Sequence, residues 1–233
     1  LIRSARPPIS PEPPFVPVRP APTSPSPPTA PSVETPVATS DTTAEVFPVE
    51  IVPGVDTDSD GLTDAEEELI YRTDPRKPDM DADGFLDGNE VFHRYNPGGT
   101  APGTLLQSGL VVEVAGEADG LPFSYLHPAT WKRAEIDTGW ELDSGTGEGI
   151  RITSMAKLGS ETLSQWLVGV DPDARPTLGQ TKNGLPLAQI DQLTAYIDLG
   201  NLVFILVYDT GVKARVDYLQ TFQMMINSVE AQE

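Results

Sequence analysis

The sequence predicts an α+β protein: an antiparallel sheet packed with helices, preceded by an unpacked N-terminal tract and two acidic loop–helix units. Three observations carry this. Prolines crowd the first 53 residues, an acidic motif occurs twice within residues 54–97, and from about Gly109 short alternating apolar runs alternate with amphipathic stripes. Apolar residues make up 38% of the 233, below the usual 45–50% of globular domains, so part of the chain is expected to lie outside any core. The formal net charge of −20 opposes binding to nucleic acid or to an anionic membrane surface. The absence of cysteine excludes disulfides, a thiol nucleophile and thiolate-based metal sites. The longest apolar run, Leu202 to Tyr208, has seven residues, far short of the roughly 20 that span a bilayer.

Residues 1–53 hold 15 of the 24 prolines, with three basic and five acidic side chains and no apolar period. Proline lacks the N–H that a ladder or helix needs and biases the residue before it toward extended backbone. The tract reads as a disordered, polyproline-II-leaning spacer. Pro14-Phe15-Val16-Pro17 has the P-x-x-P form of an SH3 ligand, a match that chance readily supplies in so proline-rich a stretch.

Residues 54–97 carry 13 acidic and four basic residues. A charge run is usually a solvated face, but here the spacing is regular. Asp56-Thr57-Asp58-Ser59-Asp60-Gly61-Leu62-Thr63-Asp64-Ala65-Glu66-Glu67 fits D-x-D-x-D-G-x-x-D-x-x-E. The pattern recurs 23 residues later as Asp79-Met80-Asp81-Ala82-Asp83-Gly84-Phe85-Leu86-Asp87-Gly88-Asn89-Glu90. Calcium takes six to eight oxygen ligands in a flexible shell, and this spacing supplies them. Positions 1, 3 and 5 offer Asp56, Asp58 and Asp60 in one loop and Asp79, Asp81 and Asp83 in the other. Gly61 and Gly84 stand at position 6, where the chain turns sharply and a residue without Cβ is favoured. Position 7 offers the carbonyls of Leu62 and Phe85, position 9 Asp64 and Asp87 through water, and position 12 Glu67 and Glu90 with both oxygens. Two calcium ions are expected, with metal binding coupled to folding of the loops. Magnesium prefers six close ligands and keeps its waters. The only nearby imidazole for zinc is His93, which reads as a helix-surface side chain.

Pro48, Pro53 and Gly54 leave no room for a helix entering the first loop. Helices are expected after each loop, over about Ala65–Tyr71 and Asn89–Tyr95, ending at Thr73-Asp74-Pro75 and Asn96-Pro97. This loop–helix unit, the large apolar residue at position 7, and the ending Arg72-Thr73-Asp74-Pro75 before Asp79-Met80-Asp81 resemble bacterial thrombospondin type 3 repeats over residues 55–97. The resemblance implies calcium-stabilised, core-poor repeats in extracellular or cell-surface proteins. Two other families use similar loops. EF-hands carry an aliphatic residue at position 8, where Thr63 departs and Leu86 conforms; dockerins usually close the loop with Asp.

A Gly/Pro seam, Asn96 to Gly103, marks an expected linker at 98–107 before a separate domain at 108–233. Within that domain Leu110–Val114, Phe123–Leu126, Trp140–Leu142 and Ile150–Ser154 read as strands. Ser160 reads as the N-cap of a helix bearing Leu163, Trp166, Leu167 and Val170 on one face. Pro186–Ile197 and Leu202–Tyr208 form a hairpin about Leu199-Gly200-Asn201. The second of these is apolar on both faces, and so central in its sheet. A last helix, Lys213–Val229, stripes Val216, Leu219, Phe222, Ile226 and Val229. The run Phe123-Ser124-Tyr125-Leu126-His127-Pro128-Ala129-Thr130-Trp131, the late hairpin and the helix closing in Ile226-Asn227-Ser228-Val229 are together similar to the PsbP-like family. The resemblance implies an antiparallel sheet sandwiched by helices and occurrence in bacterial envelope proteins. This domain is expected to stay folded when metal is removed and only the 55–97 segment loosens.

No catalytic motif of the G-x-S-x-G, H-E-x-x-H or phosphate-loop kind occurs. His127 reads as structural, and the pairs Glu135/Asp137 and Glu141/Asp143 are no more than so acidic a chain produces by chance. The expectation is a non-catalytic, calcium-binding protein of the cell envelope or exterior, whose C-terminal domain meets a protein or glycan partner. The alternative is an enzyme or solute-binding module carried on the repeats as a stalk. Leu1-Ile2 ahead of Arg3 suits a chain cut just past a hydrophobic segment, so an upstream transmembrane helix or signal is expected to provide any membrane attachment.

Overall fold

The computed structural model describes residues 51–118 and 120–232; residues 1–50 of the spacer expected over 1–53, with its P-x-x-P match, lie outside them. Elements follow in the order β1 (Val52–Pro53), α1 (Asp64–Glu66) running into a π-helical turn (Glu67–Tyr71), α2 (Asp87–Phe92), α3 (Leu105–Ser108), β2 (Val111–Ala118), β3 (Leu121–Pro128), β4 (Lys132–Ile136) and β5 (Gly139–Asp143). There follow β6 (Gly149–Ala156), α4 (Leu163–Val170), β7 (Thr177–Gln180), β8 (Pro186–Gln189), β9 (Thr194–Asp198), β10 (Leu202–Asp209), β11 (Arg215–Val216), α5 (Leu219–Ser228) and β12 (Glu230–Ala231). The class is α+β.

Seven strands form an antiparallel sheet in the order β4-β5-β6-β10-β9-β8-β7. The strand that reads as apolar on both faces, β10, is its middle member. Its register sets Phe204 opposite Ser154 of β6 and Ile197 of β9. Alternation then divides its side chains. Phe204 and Leu206 enter the main core, whereas Val203 and Ile205 pack with Leu163, Trp166 and Leu167 of α4. The main core also receives Phe123 and Tyr125 of β3 and Phe222, Met225 and Ile226 of α5. In that layer, β3 is the middle strand of a second antiparallel sheet, β12-β3-β2.

Several boundaries differ from the sequence reading, each for a nameable reason. Helix α4 is capped by Thr162, not Ser160: the Thr162 hydroxyl accepts the Gln165 N–H and the Gln165 side chain accepts the Thr162 N–H. The strand expected over Pro186–Ile197 is two strands, broken where the Asp191 carboxylate accepts the Leu193 N–H in a turn. The last helix begins at Leu219, not Lys213. Arg215 and Val216 are instead extended, pairing in parallel with Val52 and Pro53, a long-range contact that overrides the helical period. Val52 and Pro53, assigned from sequence to the spacer, thus lie in a sheet.

The expected linker at 98–107 contains α3, capped by Thr104 and Gln107 with Leu105 fully buried. Nor does the packing break there. Leu62, Ile70, Tyr71 and Val91 from the acidic segment belong to the same core as Phe123, Phe204 and Phe222, within one compact unit, Pro48–Glu233. Residues on either side of the expected linker thus share one core.

Candidate metal centre

The repeated sequence builds the same backbone twice. Position 4 is left-handed in both loops (Ser59 φ 66°, Ala82 φ 63°), and position 6 has φ 100° at Gly61 and at Gly84. Another left-handed residue follows each of the next helices, Arg72 (φ 62°) directly and Arg94 (φ 68°) just past His93. Carboxylate–amide bonds stabilise these turns. Asp56 accepts the N–H groups of Ser59 (2.7 Å) and Gly61 (3.1 Å), and Asp79 accepts those of Ala82 (2.7 Å) and Gly84 (3.0 Å). Asp60 accepts the Leu62 N–H and Asp83 the Phe85 N–H.

The remaining oxygens converge. Asp56, Asp58 and Asp60 bring one oxygen each within 4.8 Å of one another, and Asp79, Asp81 and Asp83 do the same. A third group of that size joins Asp60 and Glu67 to Asp87, with all three residues buried. Among the described residues, seven buried side-chain oxygens have no hydrogen-bond partner, and all belong to the two motifs: both of Asp58, and one each of Asp60, Glu67, Asp81, Asp87 and Glu90. Buried polar atoms are ordinarily paired, because desolvating one without a partner costs about 1–3 kcal/mol. Burial, foremost, pushes the carboxyls of Asp60 and Asp87 up to about 6, Glu90 to about 7 and Glu67 to about 8, with neighbouring carboxylates adding to each. Such a site gains from a hard cation with several oxygen ligands, which would both partner the oxygens and neutralise their charge.

Ten of the twelve residues singled out from sequence are the motif carboxylates, and nine of these make up the three clusters or contribute Glu90's unpartnered oxygen. Asp64 does not: its two oxygens accept the backbone N–H (2.9 Å) and hydroxyl (2.8 Å) of Thr57. Leu62 and Phe85 share position 7, but the Leu62 side chain is fully buried and that of Phe85 is 55% exposed. His93 stands apart from the clusters, with Nδ1 on the Asn89 carbonyl.

Sequence reasoning missed the residues that attach the centre to the fold. Glu66 is fully buried; it completes a capping box with Thr63 and accepts the Thr221 N–H of α5 at 2.6 Å. The Thr63-Asp64-Ala65-Glu66 pattern was a visible capping signal, but its partner 155 residues away was not. The Thr63 hydroxyl also donates to the Asp217 carbonyl, and Tyr71 and Thr221 join hydroxyls at 3.1 Å. Asp217 in turn shares Lys213 with the buried Glu148. On the second loop, the Gln220 amide donates to the Gly88 carbonyl (2.6 Å). A Cβ at Gly88 would stand 2.5 Å from the Asp60 carbonyl oxygen, so only glycine lets the loops approach this closely. In the C-terminal region, the buried His127 donates from Nδ1 to the Pro128 carbonyl, and burial lowers its pKa, in keeping with a structural role.

No protein-family model and no curated protein matches this chain. A crystal structure from Bacteroides thetaiotaomicron VPI-5482 is similar at 14% identity with a TM-score of 0.31, covering 48% of this chain. The match spans 45%, under half, of that chain's length.

Proposed function

We propose that residues 55–97 bind two calcium ions as thrombospondin type 3-like repeats, and that the bound metal completes the fold of a non-catalytic protein of the cell envelope or exterior. The observation that carries this reading is the set of seven buried, unpartnered oxygens, all on loop positions 3, 5, 9 and 12 of a doubled motif. An all-oxygen donor set with no thiolate or imidazole in the clusters favours a hard cation, and a Glu at position 12 favours calcium over magnesium. Extracellular modules of this kind bind calcium at about 10⁻⁴–10⁻³ M, concentrations met outside the cytosol. The region 108–233, proposed as PsbP-like, then presents a surface to a protein or glycan partner. No helix among the described residues is long and apolar enough to cross a membrane, so attachment to an envelope would come from elsewhere.

Isothermal titration of the full chain, stripped with chelator, tests the metal reading: two calcium ions per chain are expected. No calcium heat at millimolar concentration would remove it. Magnesium binding as tightly as calcium would remove the assignment of the ion.

A further inference from the structure

The two position-9 aspartates are equivalent in sequence and unequal in space. Asp64 is closed by its own loop, because Thr57 at position 2 supplies both a backbone N–H and a hydroxyl, one to each carboxylate oxygen. Asp87 has Met80 at the corresponding position. Its Oδ1 accepts the Met80 N–H at 2.8 Å, and methionine has no hydroxyl for the other oxygen. Asp87 Oδ2 is therefore buried without a partner, in a side chain with no exposure at all. A carboxylate oxygen of Asp87 lies within 4.8 Å of one each from Asp60 and Glu67, which are positions 5 and 12 of the first loop. Both of these are also at least nine-tenths buried, each with its own unpartnered oxygen. Gly88, pressed against the Asp60–Gly61 backbone, holds the arrangement.

We infer that Asp87 is a ligand of the first loop's cation rather than of its own, donated across the repeat through Oδ2. This rests on the calcium reading above. It means that the first site takes its position-9 carboxylate from the second loop, Asp64 being engaged by Thr57. The first loop gathers Asp56, Asp58, Asp60, Glu67 and Asp87, whereas the second keeps Asp79, Asp81, Asp83 and Glu90. Ordering the second loop places Asp87, so calcium in either site raises the affinity of the other, as linkage requires.

The glycines at position 6 make the assignment testable loop by loop, because the Gly61 and Gly84 N–H groups each donate to their own loop's first aspartate. The ¹⁵N-labelled full chain is titrated with calcium while both amide resonances are followed. Asp87→Asn keeps an oxygen for the Met80 N–H. It should move the Gly61 midpoint to higher calcium by about tenfold or more, the scale on which metal sites weaken when a supporting group is lost, and leave Gly84 within about threefold. Met80→Thr, at a half-buried position, gives Asp87 the hydroxyl that Thr57 gives Asp64. It should also weaken the Gly61 response selectively, and it serves where Asp87→Asn does not fold. A Gly84 shift with Gly61 unmoved, or equal shifts of both, would overturn the cross-loop ligand while leaving two calcium sites. If neither glycine of the unaltered chain responds to calcium, the calcium reading itself falls and takes this assignment with it.

Discussion

The first and second acidic loops agree at every specified motif position and in every left-handed backbone residue, yet they occupy different environments. The first is built into the core: Leu62 is fully buried, Glu66 holds the amide of Thr221, and Thr63 reaches Asp217. The second exposes Phe85 and Leu86 and touches the rest of the protein mainly along one side of α2, through Val91, Gly88 and Gln220. The comparison teaches that the motif determines loop shape and donor chemistry, while neighbours determine how much folding energy each loop carries. A repeat read as a stalk is, in its first half, part of the wall of the domain.

The largest expected effect follows from that joint core. At calcium a hundredfold above its dissociation constant, each occupied site contributes about 2.7 kcal/mol, so chelation should lower the melting temperature of the whole 51–232 unit as a single transition. Calorimetry with and without chelator checks this. A separate transition unmoved by chelator would restore the two modules expected from sequence.

Next comes the position-7 contrast. Leu62→Ala should cost about 2–5 kcal/mol, the range for emptying a buried leucine site, and Phe85→Ala no more than about 0.5 kcal/mol, as for exposed positions. Denaturant titration in saturating calcium measures both, and equal costs would erase the difference between the loops. Gly88→Ala should cost about 1–3 kcal/mol by overpacking, since its Cβ has backbone atoms to displace rather than a flexible side-chain end. A neutral outcome would mean that the loops can separate freely.

The pH dependence is the gentlest probe. In the metal-free protein the raised carboxyls of Asp60, Asp87, Glu90 and Glu67 bind protons that the unfolded chain has released. Their contribution is full below the ordinary carboxylate range and is lost as pH rises through about 6 to about 8. Metal-free stability should therefore fall between pH 5 and pH 8. On the proposed calcium reading the ion displaces those same protons, so its apparent affinity should rise over that interval and binding should release protons, seen as a heat that varies with the buffer's ionisation enthalpy. A metal-free protein that gains stability between pH 5 and pH 8 would contradict the burial of these groups.

Much of the candidate centre was legible because its interactions are local. Asp56 reaches Gly61 five residues on, and Asp83 reaches Phe85 two residues on, so the spacing of aspartate and glycine is itself the structure. The central place of β10 was legible for a similar reason: a strand apolar on both faces has to be covered on both. A helix after the second loop followed from the flanking loop and proline stop, expected over about Asn89–Tyr95 and found over Asp87–Phe92. What misled was local pattern where a distant partner prevailed. The helical stripe begins at Val216, but the pairing of Val52 and Pro53 with Arg215 and Val216 draws those two residues extended. The glycines and prolines of 96–103 looked like a domain seam, yet Leu105 just beyond them is in the core.

By itself, the sequence determined the two loop backbones, the spacing of the motif carboxylates, the α+β class and the two-faced strand. These depend on hydrogen bonds between near neighbours and on the simple alternation of side chains. Only the tertiary structure decided that Leu62 is inside and Phe85 outside, that Glu66 bonds Thr221, and that the buried Asp87 carboxylate meets those of Asp60 and Glu67. Those outcomes depend on which distant segments close on each other. The net energy of such closure is a sum over many core contacts, and no single stretch of the chain contains it.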